Sequence, residues 1–316
     1  MAVSQKQIAE RVGVSIALVS RVLSGKAREV GIADSTIVRV MNVAAEMGYV
    51  PSAAALTLKG KATKTIGVVV YDFKDPFFGA IIEALQAQAH KHGYSLVLSG
   101  FRKRVPEAVD LAPLHKHAID GLIILGSEDK AEWLDGFRTM PVSRIGHGSS
   151  DENSVRVAID ENHAADQVLQ HLVNKGHKNI VFIGENFLAH HLRFQAMEKR
   201  AVSLGCSIRC ITSSSWAFAA GLDGTRKILE TEGVDALICA TDKIAMGALH
   251  ALHDTGTKIP VTGFDDIPAA VQFIPPITTM RQPIEEMAKL AFESVIHSRT
   301  FGDILLKGLL MVRNSA

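Results

Sequence analysis

The chain has 316 residues, of which 47% are hydrophobic, so it is long enough for two or three domains with buried cores. No apolar run approaches the length that crosses a bilayer, and no basic segment followed by an apolar one suggests a secretion signal. These features argue against a membrane-spanning or secreted protein, and we expect the protein in the cytoplasm. The cysteines form an odd set without CxxC spacing, which predicts reduced structural thiols at Cys206, Cys210 and Cys239.

The net charge of +1 hides an uneven distribution along the chain. Residues 1–64 contain nine Lys or Arg and four Asp or Glu, which gives +5 and leaves −4 for the remainder. A basic segment of this kind suits contact with the phosphates of a nucleic acid.

Residues 4–25 predict two short helices joined by a tight turn. Gly13 tolerates the positive φ of a sharp helix exit, and the Ser15 side chain can cap the second helix, expected at residues 16–24. The apolar positions with helical spacing are Ile8, Ala9 and Val12 in the first helix, and Val19, Val22 and Leu23 in the second. This pattern predicts a helix-turn-helix, although the same residues also fit an ordinary αα-hairpin within a core.

In a helix-turn-helix, the N-terminal side chains of the second helix enter the major groove of DNA. Arg21 could hydrogen-bond to a guanine, whereas Ile16 and Ala17 could only contact a thymine methyl group. Ser15 and Ser20 suit phosphate contacts. These five residues are the expected DNA contacts of the second helix.

A third helix is predicted from Asp34, as its cap, to a stop signal at Gly48. Residues 26–33 are expected to form a loop. The expected core positions of the third helix are Ile37, Val40, Met41, Ala44 and Met47. After Tyr49, residues 51–60 begin with proline and contain good helix formers, but a helix of about two turns is marginal without a partner.

The succession of helix-turn-helix, GYVPSAAALTLKG and TKTIGVVVYDFKDPFF resembles the lactose/galactose/purine repressor (LacI/GalR) family of bacterial transcription regulators, and the similarity continues to GFDDIP and TTMRQPIEEM. The resemblance implies a homodimer that binds pseudopalindromic operator DNA. It also implies a hinge helix that folds on DNA, with Leu58 as a minor-groove wedge and Lys59 as a further DNA contact. An apolar wedge unstacks a base step and kinks the duplex. The alternative role for Leu58 is that of a plain core leucine.

From residue 65 onwards, apolar strands alternate with helices, which predicts parallel sheets covered on both faces. The pattern DGLIIL in the first half is echoed by DALICA in the second. We therefore expect an all-α helix-turn-helix head and an α/β core of two doubly wound subdomains, similar to periplasmic binding proteins. We expect a head at residues 1–49, a hinge at 50–63 and a core at 64–316. Within the core, the first subdomain is expected to comprise residues 64–160 and 280–300, and the second residues 161–279 and 301–316. The strands expected in the core are residues 66–71, 96–98, 121–125, 180–183, 207–211 and 236–239. Among the helices between them, one is expected to begin at Pro106 and another to end at Glu232.

Two doubly wound subdomains enclose a cleft at the carboxyl ends of their strands. By position in the family's motifs, the residues expected there are Asp72, Phe77, Phe78, His147, Arg193, Trp216 and Asp265. Carboxylates and an arginine fork can fix hydroxyl groups, and Phe78 and Trp216 offer flat apolar faces to a sugar ring or a base. Phe77 is as compatible with a core position as with the cleft, and Trp216 could serve packing only.

The chain departs from the family's pattern in ways that predict a more basic cleft. The loop after the second strand contains Arg102, Lys103 and Arg104, and His147 stands at a strand end that often supplies an aspartate. Thr241 replaces a usual asparagine, and the segment between residues 260 and 263 is short, which makes the position of Asp265 uncertain. If these basic groups meet Arg193, they favour an anionic effector such as a sugar acid or a phosphorylated sugar. Alternatively, Lys103 and Arg104 belong to a solvated surface loop.

The sequence shows no nucleophile elbow, phosphate-binding loop or other catalytic set, so we expect neither enzyme activity nor a cofactor. The pairs His115/His117 and His190/His191 lack the i, i+4 spacing of a helical metal site, and no metal is expected. We expect a homodimeric repressor controlled by a sugar or sugar derivative in the cleft. The alternative is a DNA-binding regulator without a cleft ligand, controlled by a protein that contacts the outer face of the first subdomain.

Overall fold

The computed structural model describes residues 3–49, 62–101, 106–127, 132–137, 139–148, 154–231, 233–298 and 302–316. The chain divides into two compact units, Met1–Thr63 and Lys64–Ala316. In the described ranges, no helix is both long enough and apolar enough to cross a membrane. The predicted hinge, including Leu58 and Lys59, lies outside the described residues, as do Arg102, Lys103 and Arg104.

The first unit contains the predicted helix-turn-helix. Its described residues form the helices Gln5–Val12 (α1), Ile16–Leu23 (α2) and Asp34–Glu46 (α3), and a 3-10 turn at Arg28–Val30. Gly13 ends α1 at a φ of 76°, and the Ser15 hydroxyl accepts the Leu18 N–H at 3.2 Å. The turn and the cap are therefore confirmed as the sequence predicts them, because both depend on neighbouring residues.

A small core holds the three helices together. Ile8, Val19 and Val40 are fully buried, and the small residues Ala9 and Ala44 let the helices approach closely. Together these buried side chains pack α2 against α1 and α3.

Two details of α3 differ from the sequence prediction. Ala33 occupies the capping position, and Asp34 is the first helical residue, with its carboxylate 3.2 Å from Arg28 Nε. The prediction that Met41 belongs to the core is wrong, because its side chain is 50% exposed. The 3.6-residue period places Val40 and Ala44 inward, and Met41 lies at the solvent edge of that face.

The second unit contains two six-stranded sheets. The first has the order β11-β5-β4-β3-β1-β2, and all of its neighbouring strands are parallel. Its strands are Thr65–Val70 (β1), Ser95–Gly100 (β2), Gly121–Leu125 (β3), Val142–Ile145 (β4), Ser154–Ile159 (β5) and Ile304–Leu306 (β11). Its helices are Pro76–His92 (α4), Ala108–Lys116 (α5) and Ile284–Ile296 (α11), and a 3-10 helix spans Glu132–Phe137.

The second sheet has the order β12-β10-β9-β8-β6-β7 and is parallel except for β12, which runs antiparallel to β10. Its strands are Asn179–Glu185 (β6), Ser207–Ser213 (β7), Ala236–Cys239 (β8), Val261–Asp265 (β9), Thr278–Arg281 (β10) and Leu309–Met311 (β12). Its helices are Glu161–Asn174 (α6), Leu188–Leu204 (α7), Phe218–Leu229 (α8), Asp242–Thr255 (α9) and Pro268–Gln272 (α10).

The described chain passes between the two subdomains three times, after β5, after β10 and after β11. The third passage changes a predicted boundary, because Ile304–Leu306 pairs with β5 in the first sheet and not with the second subdomain. A three-residue edge strand carries too short a pattern to assign to a sheet from sequence. Each sheet has its own buried apolar core, and the carboxyl ends of the central strands face the cleft between the subdomains.

Several element ends also differ from the sequence predictions. The helix expected to begin at Pro106 begins at Ala108, because Glu107 forms a capping box with Asp110. The helix expected to reach residue 232 ends at Leu229. The strand β9 forms despite the short segment before it, so Asp265 is held at the end of a central strand.

Candidate functional site

The exposed face of α2 carries the residues that the sequence predicts at DNA. Ile16 is 48% exposed, and Ala17 and Arg21 are exposed as well, whereas Val19 and Val22 on the opposite face are buried. Ser15 is exposed at the N-cap and Ser20 is half-buried. This face can therefore present one arginine and two apolar side chains to a groove, with hydroxyl groups beside them.

An open cavity of about 880 Å³, counting the space at its mouth, lies between the two subdomains. Its walls include residues at the carboxyl ends of β1, β3 and β4 in one sheet and of β6, β8 and β9 in the other. Of the residues that the sequence predicts there, the cavity is lined by Asp72, Phe77, Phe78, His147, Arg193 and Asp265. Trp216 is not among the lining residues and is 47% exposed, although its neighbour Ala217 does line the cavity.

Two aspartates at the start of α4 form one acidic wall. Asp72 Oδ1 accepts the Lys74 N–H at 2.9 Å, which fixes the turn after β1. Asp75 caps α4 by accepting the Phe77 N–H at 3.0 Å, and its other oxygen lies 3.9 Å from Lys243 Nζ in the opposite subdomain. Both carboxylates are thus held by the backbone at the edge of the cavity, which both of them line.

Asp265 forms the opposite acidic wall. Its φ of 105° is unusual for a residue with a side chain and turns the carboxyl group out of the end of β9. The Gln282 amide donates to Asp265 Oδ1 at 2.8 Å. Burial raises the pKa of Asp265 well above its usual value, while the Arg193 charge opposes that rise. A protonated Asp265 could donate a hydrogen bond as well as accept one.

Arg193 on α7 is held by a buried ion pair with Glu161. Its Nε and Nη2 lie 3.0 and 2.9 Å from the two oxygens of Glu161, and its Nη1 donates to the Ala240 carbonyl at 2.5 Å. The guanidinium carbon lies 3.2 Å from the centre of the Phe264 ring. His147 Nε2, from the first subdomain, lies 3.2 Å from the same Glu161 oxygen as Nη2. The arginine is therefore fixed in position and its charge is compensated.

A third group of lining residues follows β6. The Glu185 N–H donates to His190 Nδ1 at 3.0 Å, which places the proton of a neutral imidazole on Nε2. The Glu185 carboxylate accepts the Ala217 N–H. Phe187 lies over Tyr71 of the other subdomain, with ring centroids 5.0 Å apart. Sequence reasoning missed Glu185, Phe187 and His190, although the position of Glu185 at the carboxyl end of a parallel strand could have indicated it.

Phe77 has both of the roles that the sequence left open, core and cleft, and its neighbour Phe78 also has both. Their ring centroids are 5.7 Å apart and both line the cavity. Phe78 is buried in the core of the first subdomain, whereas Phe77 packs against the cores of both subdomains.

Asp242 supports the cavity wall from behind. Its Oδ2 accepts the Ile267 N–H at 2.8 Å and its Oδ1 accepts the Thr279 hydroxyl at 2.5 Å. Burial raises its pKa to about 7, although these two hydrogen bonds act in the opposite direction. Asp242 therefore ties the start of α9 to the segments after β9 and along β10. Among the described residues, no cluster of three or more His, Cys, Asp or Glu has the geometry of a metal site.

Comparison with known families divides the chain in the same way as the fold. Residues 5–52 match the family described as bacterial regulatory proteins, lacI family, and residues 169–300 match the periplasmic binding protein-like domain.

Curated relatives align along almost the whole chain. The HTH-type transcriptional regulator RegA of Clostridium saccharobutylicum is 30% identical over 310 residues, which cover 94% of this chain and 92% of RegA. The HTH-type transcriptional repressor PurR of Haemophilus influenzae (strain PittEE) is 31% identical over an alignment of 319 positions, which covers 94% of this chain and 91% of PurR.

Solved structures show the same fold. The Lac repressor dimer bound to operator and the anti-inducer ONPF matches with a TM-score of 0.86 at 23% identity, over 100% of this chain and 99% of that one. The complex of the regulator CelR with cellobiose matches with a TM-score of 0.70 at 24% identity, over 99% of this chain and 100% of that one. From its head, its two-subdomain core and relatives at least 30% identical along nearly its full length, the chain belongs to the lacI family of bacterial DNA-binding transcription regulators.

Proposed function

We propose that this regulator is a homodimeric repressor whose operator affinity is controlled by a small, neutral, hydroxyl-bearing ligand, such as a sugar or sugar derivative, in the cleft. The observation that carries the proposal is the cavity, which combines carboxyl groups at strand ends with aromatic rings from both subdomains. A ligand that contacts both walls binds one arrangement of the subdomains better than others, and that difference can bias DNA binding.

The lining side chains suit a polyhydroxylated molecule. Asp72 and Glu185 can each accept hydrogen bonds from ligand hydroxyl groups, and a protonated Asp265 could donate to one. Tyr71 and Phe187 offer flat apolar surface to a ring. Sugar binding is also consistent with the CelR structure, which contains cellobiose.

The charge of the described cavity favours a neutral ligand over the anion that the basic residues in the sequence suggest. The cations among the described lining residues are Arg193 and Lys243. Arg193 is paired with Glu161, and Lys243 lies near Asp75. Each cation of the described lining therefore already has a carboxylate neighbour, so an anionic ligand would have to compete with that carboxylate for it.

The test uses the full chain and DNA selected from a random duplex library. Neutral monosaccharides, disaccharides and nucleosides are compared with sugar acids and sugar phosphates, with operator binding and thermal unfolding as readouts. A ligand at about 100 times its Kd should stabilise the protein by about 2.7 kcal/mol. We expect a neutral compound to shift both readouts. Effects from anions alone would contradict the charge assignment, and no effect from any compound would favour control by a protein.

The DNA part of the proposal predicts a symmetric site. A two-fold dimer presents two copies of α2, so the selected sequences should be pseudopalindromes with half-sites one or more helical turns apart. The Lac repressor structure is of a dimer on its operator. Asymmetric selected sites, or a monomer by sedimentation on DNA, would contradict this part.

A further inference from the structure

Glu161 lies behind the cavity wall and touches two residues that line it. It is the first residue of α6, directly after the chain passes from the first subdomain to the second. Its side chain is 7% exposed and contacts Arg193 and His147, but it is not itself a lining residue. Any influence on a ligand must therefore pass through these two neighbours.

The contacts of Glu161 use most of the donor capacity of Arg193. Of the five guanidinium N–H groups, two donate to Glu161 and one to the Ala240 carbonyl. Burial alone would raise the pKa of Glu161, but the Arg193 charge and the hydrogen bonds from His147 and Arg193 bring the pKa below its usual value. The pair is consequently ionised at neutral pH, with no net charge.

We propose that Glu161 is a positioning residue that sets the charge of the effector. It holds Arg193 in a neutral ion pair, which can donate hydrogen bonds to hydroxyl or carbonyl oxygens but does not attract an anion. This inference rests on the proposed cleft ligand and deepens it. A side chain of the same shape without the charge would keep Arg193 in place and leave its positive charge available to a phosphate or carboxylate.

Inorganic phosphate is a suitable probe, because it requires no knowledge of the natural ligand. Thermal unfolding of the full chain without DNA is compared in phosphate and in sodium chloride of equal ionic strength. The variant Glu161→Gln preserves the shape and removes the charge, whereas Glu161→Asp preserves the charge. The matched control is Asp166→Asn. Asp166 lies on the surface of the same helix as Glu161 and pairs with Arg200, so this variant also removes a carboxylate from its arginine.

We expect phosphate to raise the Tm of Glu161→Gln by about 3 °C more than it raises the wild-type Tm, as binding at several times Kd would. Wild type, Glu161→Asp and Asp166→Asn should respond alike, since any phosphate bound by the basic head is common to all of them. The double variant Glu161→Gln/Arg193→Gln should lose the extra shift.

An equal response of Glu161→Gln and wild type would overturn the proposal, as would an extra shift that survives in the double variant. If Glu161→Gln does not fold, phosphate binding to the wild type is measured by calorimetry instead. Phosphate binding that Arg193→Gln abolishes would show that Arg193 already attracts anions, and would overturn the proposal. A negative ligand panel would contradict the proposed effector but leave the phosphate result intact, so the two failures are distinguishable.

Discussion

The same substitution, glycine to alanine, should have opposite effects at the crossing of α8 and α9 and on the open face of α4. Gly221 on α8 faces the backbone of α9, and Gly247 on α9 faces the backbone of α8. A Cβ at Gly247 would fall well inside contact distance of the Phe218 carbonyl oxygen and 2.8 Å from the Leu222 nitrogen. These are backbone atoms that cannot rotate away.

The cost of Gly247→Ala follows from that geometry. Ordinary contact begins near 3.4 Å, so the helices must separate by at least about 0.6 Å to relieve the contact at 2.8 Å alone, and by more to relieve the contact with the carbonyl. Overpacking of this kind costs about 1–3 kcal/mol or more, whereas the higher helix propensity of alanine returns at most about 1 kcal/mol. We expect a net loss of about 1–2 kcal/mol in the free energy of unfolding.

Gly79→Ala on α4 is the matched control, because no heavy atom lies within 4 Å of the position its Cβ would take. This variant should gain about 0.5–1 kcal/mol. Urea unfolding of the full chain, followed by circular dichroism through the transition of the Lys64–Ala316 unit, measures both. A Gly247→Ala variant as stable as Gly79→Ala would refute the close helix crossing. The crossing also concerns the site, since Ala217 precedes α8, Thr241 precedes α9, and both line the cavity.

Three further predictions concern DNA and pH. Arg21→Ala should weaken specific operator binding by about 1–3 kcal/mol, and equal weakening on random DNA at fixed salt would contradict base reading. Leu58→Ala should reduce operator affinity and DNA bending but not ligand binding; unchanged bending in a circular-permutation gel assay would refute the wedge. Because burial raises the pKa of Asp242 to about 7, the folded state keeps a proton that the unfolded state releases above about pH 4. As the pH rises from 4 to 7, the free energy of unfolding of the wild type should therefore fall by up to about 4 kcal/mol relative to that of Asp242→Asn. Urea midpoints that change equally with pH in the two proteins would contradict this.

The head could be predicted almost completely from the sequence because its determinants are local. Gly13 and Ser15 act on the backbone within four residues of themselves. The error at Met41 arose because spacing places a residue on a helix face but does not say how wide the buried part of that face is.

The central strands and most of the cleft positions were also predictable, since long apolar runs mark parallel strands and the carboxyl ends of such strands meet at one edge. The side chains that pair with the residues at those positions could not be predicted. Glu161 and Arg193 are separated by 32 residues, and only the packing of α6 against α7 brings them together. The anion hypothesis rests on Arg102, Lys103, Arg104, His147 and Arg193 together, and the first three lie outside the described residues, so it stays a prediction. The structure adds that Arg193 has a carboxylate partner, which the sequence does not reveal.

The contacts across the cleft indicate how strongly a ligand must act. The Asp75–Lys243 pair is separated by 3.9 Å and partly exposed, so it contributes at most about 1 kcal/mol. The Tyr71–Phe187 ring contact adds about 0.5–1.5 kcal/mol, and His147 joins the subdomains through a Glu161 carboxylate that Arg193 already compensates. Together, these three contacts bias the subdomain arrangement by only a few kcal/mol. A ligand with two or three well-placed hydrogen bonds to each wall has enough differential affinity to reverse such a bias, because a shift from 1:99 to 99:1 requires about 5.5 kcal/mol.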